Sequence, residues 1–140
     1  MSGLTPNAMF AYYVPNPGEA ADWYRDHLGF EIRGDHRSDP SFPWVTASAP
    51  GGSWQIIFGD VNVHGEGELA DRFRGELGFA PHYMLIVDDV DAFVAEVKTR
   101  GVEVSDGPSD GPFGRQAFIK DLHGDVITLA SPGSWKFFRG

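Results

Sequence analysis

The chain has 140 residues, 41% of them apolar, no cysteine and a formal net charge of −9. That length carries one domain with a core that needs no covalent staple, and the lack of cysteine excludes a disulfide framework, a zinc ribbon and a thiol nucleophile. The charge argues against nucleic acid and anionic membranes as partners, since both are bound through Lys and Arg, and its field favours neutral or cationic ligands.

The opening MSGLTPNAMFAYYV has no basic segment ahead of an apolar one, so it does not read as a secretory signal. No apolar run reaches the ~18 residues of a bilayer span. The expectation is a cytoplasmic protein.

Residues 9–14 (MFAYYV) read as a buried strand. A helix follows, with Asn16 placed to cap, Pro17 in the first turn, Glu19 at the capping-box position and Gly29 at the stop. EIRGDHR and PWVTASA are short strand candidates, and GGSWQIIFGD (51–60) is a glycine turn leading into a strand. The polar linker VNVHGEGELADRFRGELG has room for a helical turn or two. Residues 82–87 (HYMLIV) then open a second strand, Asp88 or Asp89 caps a helix, and Gly101 ends it. In that helix Val90, Phe93, Val94 and Val97 fall on one apolar face. VEVSDG, RQAFIKD and GDVITLASPG (124–133) supply three further strands.

The order repeats. Residues 9–14 and 82–87, and again 51–60 and 124–133, stand 73 apart, with one extra residue in the first helix as the only slip. The reading is β-α-β-β-β twice, an α+β single domain over 1–140: a first module 8–60, a linker 61–80, a second module 81–132 and a tail 133–140.

The stretches YYVPNPGEAADWYRDHLGFEI, HYMLIVDDVDAFVAEVKTRGVEV and GPFGRQAFIKDLHGDVITLAS together resemble the vicinal oxygen chelate superfamily, which holds glyoxalase I, extradiol dioxygenases, fosfomycin resistance proteins and bleomycin-binding proteins. The resemblance implies a glyoxalase/bleomycin resistance fold, in which two βαβββ modules form a cupped, barrel-like mixed sheet with helices outside. It also implies a homodimer. Metal enzymes of the superfamily take ligands from four strand positions, which here are Met9, Gln55, His82 and Thr128. Only His82 is a good ligand. A thioether suits soft metals, an amide oxygen is weak and a hydroxyl seldom ligates, so neither a metal nor another cofactor is expected. The other histidines, His27, His36, His64 and His123, make no ligand pair.

Side-chain alternation turns Met9, Tyr13, Gln55, Ile57, His82, Met84 and Thr128 toward a ligand pocket, which Trp44 and Phe113 join from loops. The plain reading of Trp54, Phe58 and Phe118 is core facing the helices, and by alternation from Gln55 it holds for the first two. The terminal Trp135, Phe137 and Phe138 pack on their own domain or on a partner subunit. The resemblance then points to a metal-free small-molecule-binding protein of the bleomycin-resistance type, sequestering an aromatic or cationic antibiotic without catalysis. The alternative is a lyase, isomerase or dioxygenase of the superfamily, with an atypical metal site or with His82 as general base.

Overall fold

The computed structural model describes residues 3–4, 8–62, 65–77, 83–111 and 114–132, and the chain divides into two compact units, 1–77 and 78–140. In the first unit the elements run β1 (Met9–Val14), α1 (Pro17–Trp23, prolonged by a π-helical turn Tyr24–Leu28), β2 (Glu31–Asp35), β3 (Val45–Ser48), β4 (Gln55–Asp60) and α2 (Glu68–Gly75). The second holds β5 (Met84–Ile86), α3 (Val90–Thr99), β6 (Glu103–Gly111), β7 (Gly114–Lys120) and β8 (Val126–Ala130). The strands order as β1-β4-β3-β2 and β5-β8-β7-β6. In each sheet the first strand runs parallel to the last of its module and the remaining pairs are antiparallel. This is the expected α+β class with its repeated βαβββ order. The described strands pair as two four-stranded sheets, one in each unit.

Alternation gives each sheet one apolar face covered by its helix. In the first unit Tyr12, Val14, Val45, Ala47, Ile56 and Phe58 pack under Ala20, Ala21, Tyr24 and Leu28 of the first helix, all of them buried. In the second unit Leu85, Ala117, Ile119, Ile127 and Leu129 do the same beneath Val90, Val94 and Val97 of α3. Each fully buried aliphatic or aromatic side chain contributes about 1.5–3 kcal/mol relative to exposure, so these faces fix which residues are left on the opposite one.

The helix ends form as their residues predict. Asn16 Oδ1 accepts from the Glu19 amide and Asp89 Oδ1 from the Ala92 amide, both at 3.0 Å. Gly29 and Gly101 close the helices at φ 84° and 86°, a left-handed conformation that a Cβ would strain. We expect Asn16→Ala and Asp89→Ala each to cost about 1 kcal/mol, measured as a lowered urea midpoint at unchanged slope.

The extra residue of the first helix has a structural counterpart. Over Tyr24–Leu28 the helix widens to a π turn, and the Phe30 amide reaches back to the Tyr24 carbonyl at 3.2 Å. A wider turn takes up one more residue than an α-helical turn without moving the flanking turns off their faces. Tyr24 and Leu28 consequently stay buried at its two ends.

The last strands depart from the common spacing. Ala11 pairs with Ile57 in the first sheet, whereas Met84, which follows Ala11 by 73 residues, pairs with Thr128, which follows Ile57 by 71. The counterpart of Gln55 is therefore Val126 rather than Thr128. The shift of two preserves alternation, so Ile127 and Leu129 remain buried like Ile56 and Phe58.

Candidate functional site

On the face of the first sheet away from the helix, Met9 lies beside Gln55, Ala11 beside Ile57 and Tyr13 beside Gly59. Thr46 continues the row on β3, opposite Ile57. At the Met9 end an open depression of about 490 Å³ is lined by Ala8, Met9, Arg33, Gly52, Ser53 and Gln55. Met9 is 55% exposed there. At the other end the face is covered from within the unit, where Phe73 of α2 stacks on Tyr13 with ring centroids 4.0 Å apart.

β2 carries a bulge next to this depression. Ile32 pairs with Ala47 and Asp35 with Val45, so Arg33 and Gly34 together face the single residue Thr46. The Gly34 amide donates to Thr46 Oγ1 at 2.9 Å. A Cβ at Gly34 would sit 3.3 Å from both that hydroxyl and the Trp44 ring, which keeps this position small. Bulges re-aim side chains in this way. Here the result is that Arg33 Nη1 donates to Ser48 Oγ at 3.1 Å, while the buried Ser48 hydroxyl itself donates to the Ala49 carbonyl at 3.0 Å. Trp44 is held beside the bulge by stacking on His36, with centroids 4.1 Å apart.

The far end of β2 is fixed by charge. Arg37 bridges Asp22 of α1 and Asp35 of β2 at 2.8 and 2.9 Å. Its guanidinium holds both carboxyls below the usual carboxylate range, chiefly through those hydrogen bonds.

The second sheet has its own outward face. Met84, Thr128 and Phe118 stand in one row across β5, β8 and β7, and Ile86 and Val126 beside them are 41% and 43% exposed. Phe118 is thus not helix-facing core. It is set opposite Thr128, on the face left free by buried Ala117 and Ile119. Trp54 is half-buried rather than core, packing edge-on against Phe10 and Phe30 at 5.8 and 6.4 Å.

The sequence candidates therefore fall into groups. Met9 and Gln55 meet at the depression, Ile57 and Tyr13 continue the same face, Trp44 braces the bulge, and Met84 adjoins Thr128. His82 and Phe113 lie outside the described residues, as do His64 and 133–140. Arg33, Ser48 and Phe118 were missed. Alternation from Ala117 and Ile119 would have found Phe118, whereas no local signal marks the bulge that places Arg33.

The donor set can be judged against a metal. Met9 and Gln55, which meet within the first unit, supply a thioether and an amide, and neither suits a divalent ion of the hard or borderline kind. Among the described residues no three His, Asp or Glu side chains are grouped as ligands.

The model of the Glyoxalase/Bleomycin resistance protein/Dioxygenase superfamily matches residues 8–129. The chain belongs to this superfamily. Among solved structures it is similar to TnmS3, an antibiotic binding protein from Streptomyces sp. CB03234, at 26% identity over 94% of this chain and 99% of that one, TM-score 0.70. A glyoxalase/bleomycin resistance protein from the same organism is 31% identical over 89% and 98% of the two chains, TM-score 0.67. Among curated proteins it is similar to the uncharacterized YetH of Bacillus subtilis, 23% identical over 120 residues, which are 85% of this chain and 92% of that one.

Proposed function

We propose that the protein is a metal-free small-molecule-binding member of the glyoxalase/bleomycin resistance superfamily that sequesters an aromatic, drug-like compound such as an antibiotic, and does so as a cytoplasmic homodimer. The observation that carries this reading is the chemistry of the depression on the first sheet. Met9, Gln55, Arg33, Ala8, Gly52 and Ser53 line it, a thioether, an amide, a guanidinium and small residues with no carboxylate or imidazole among them. Small-ligand sites have this composition, apolar surface with a few placed hydrogen-bonding groups, and volumes of about 300–1,000 Å³. The likeness to TnmS3 supports the ligand class, because that protein is an antibiotic binder. Met9, Gln55 and Ile57 would contact the ligand from the first sheet, and Met84, Thr128 and His82 are assigned to ligand binding on the sequence reading.

The test begins with the metal content of protein purified without chelator, then titration with Ni²⁺, Zn²⁺ and Mn²⁺ while following the melting temperature. The expected result is no bound metal and no shift. Aromatic antibiotics are then screened by tryptophan quenching, and a bound compound is expected back unchanged by mass spectrometry. His82→Ala should weaken binding without abolishing it. Stoichiometric metal that disappears in His82→Ala, or steady conversion of a ligand to product, would replace this reading with the enzyme one.

A further inference from the structure

Arg33 stands apart from the other cations of an acidic chain. Arg25, Arg37, Arg74, Arg100, Arg115 and Lys120 each hold a carboxylate. Among the described residues Arg33 has only the neutral Ser48 hydroxyl. Arg72 and Lys98, on exposed helical surface, likewise form no described ion pair, but Arg33 alone of the three lines the depression. Glu31, two residues earlier on β2, is exposed and forms no ion pair with it.

The guanidinium is also held in place. Ser48 is fully buried and its proton is committed to the Ala49 carbonyl, so its oxygen is an acceptor turned to Arg33. One N–H is anchored there, and the rest of the planar fork remains for a second acceptor. The bulge that aims it recurs in the second sheet, between Val104 and Asp106 of β6, where the residue following Val104 is Ser105, bonded to the Phe118 carbonyl. The repeat thus builds the same kink twice and arms it with a cation once.

We propose that Arg33 is the specificity-determining residue of this depression and selects a ligand bearing an anionic oxygen, an aromatic carboxylate or ionised phenol, over a cationic one. The inference rests on the ligand-binding reading above. Two effects of opposite sign compete. The net charge of −9 repels an anion at long range, but exposed charges beyond about 8 Å are screened at physiological salt, whereas a guanidinium in contact pairs with a carboxylate through charge-assisted hydrogen bonds. Contact decides.

Equilibrium dialysis at physiological salt with naphthalene-2-carboxylate, naphthalene-2-carboxamide and 2-naphthylmethylammonium separates the cases. The expected result is that the carboxylate binds about tenfold more tightly than the amide, with the ammonium weakest. Arg33→Gln should bring carboxylate and amide within about twofold of each other by weakening the carboxylate, in a protein that still melts cooperatively. Arg33→Lys, which keeps the charge but not the fork, should retain part of the preference. The inference falls if the ammonium binds as well as the carboxylate, or if Arg33→Gln keeps the preference, and in both cases the ligand-binding reading stands. Binding of none of the three at millimolar concentration overturns both.

Discussion

Ile56→Asp is expected to unfold the protein, and its neighbour Ile57→Asp to leave it folded but to weaken binding of an anionic ligand at least tenfold. The two residues are adjacent on β4, yet alternation sends them to opposite faces. Ile56 is fully buried beneath the first helix, beside Phe10 and Ala47 in the pairing. An unpaired carboxylate there costs on the order of 5 kcal/mol or more, which is comparable to the whole stability of a small domain. Ile57 is half-buried on the face shared with Met9, Gln55 and Thr46. A carboxylate at that position keeps access to water, so circular dichroism should show a cooperative melt close to that of the unchanged protein. It also places a like charge beside the site proposed for an anionic ligand, and naphthalene-2-carboxylate binding should fall at least tenfold. A folded Ile57→Asp that binds as before would move the ligand off this sheet face. A folded Ile56→Asp would mean that the face assignment itself is in error.

That assignment is legible in the sequence, because it depends on a period of two and on helix-end chemistry. Asn16, Asp89, Gly29 and Gly101 act through hydrogen bonds and dihedral preferences inside their own turn, and each does in the structure what its residue type predicts. The single extra residue in the first helix was countable, but its absorption by a π turn was not, since the Tyr24–Leu28 geometry is set by the need to keep both residues buried. Registers were less legible still. A slip of two residues changes no side chain's face, so the pairing of Thr128 with Met84 leaves no trace in the hydrophobic pattern. The Arg33–Gly34 bulge is invisible for a related reason: it depends on the Thr46 hydroxyl across the strand pair, twelve residues away. The sequence thus identified which face of the first sheet to inspect and two residues of its depression, Met9 and Gln55, while the residue given the specificity role lay at an irregularity that only the pairing reveals.

Phe58 and Phe118 test the same logic on stability. Both are phenylalanines in a strand of apolar residues, but alternation from Gln55 reads only Phe58 as core. Phe58 is fully buried, with the Tyr24 ring 5.1 Å and the Tyr12 ring 5.8 Å from its own, so truncation leaves a cavity that two other rings line. Phe58→Ala should cost about 3–5 kcal/mol, the transfer free energy of the ring plus the cavity term. Tilted aromatic pairs add about 0.5–1.5 kcal/mol each beyond area burial, which places the loss toward the upper end. Phe118 is half-buried, opposite Thr128 on the face away from α3. Its removal exposes strand surface that water already reaches, and no closed cavity forms, so Phe118→Ala should cost less than half as much. Urea unfolding of the two variants decides the matter, since the difference between them is independent of the reference state they share. Equal losses would show Phe118 to be packed as tightly as Phe58, and the second sheet would then have no free face on which Met84 and Thr128 could meet a ligand.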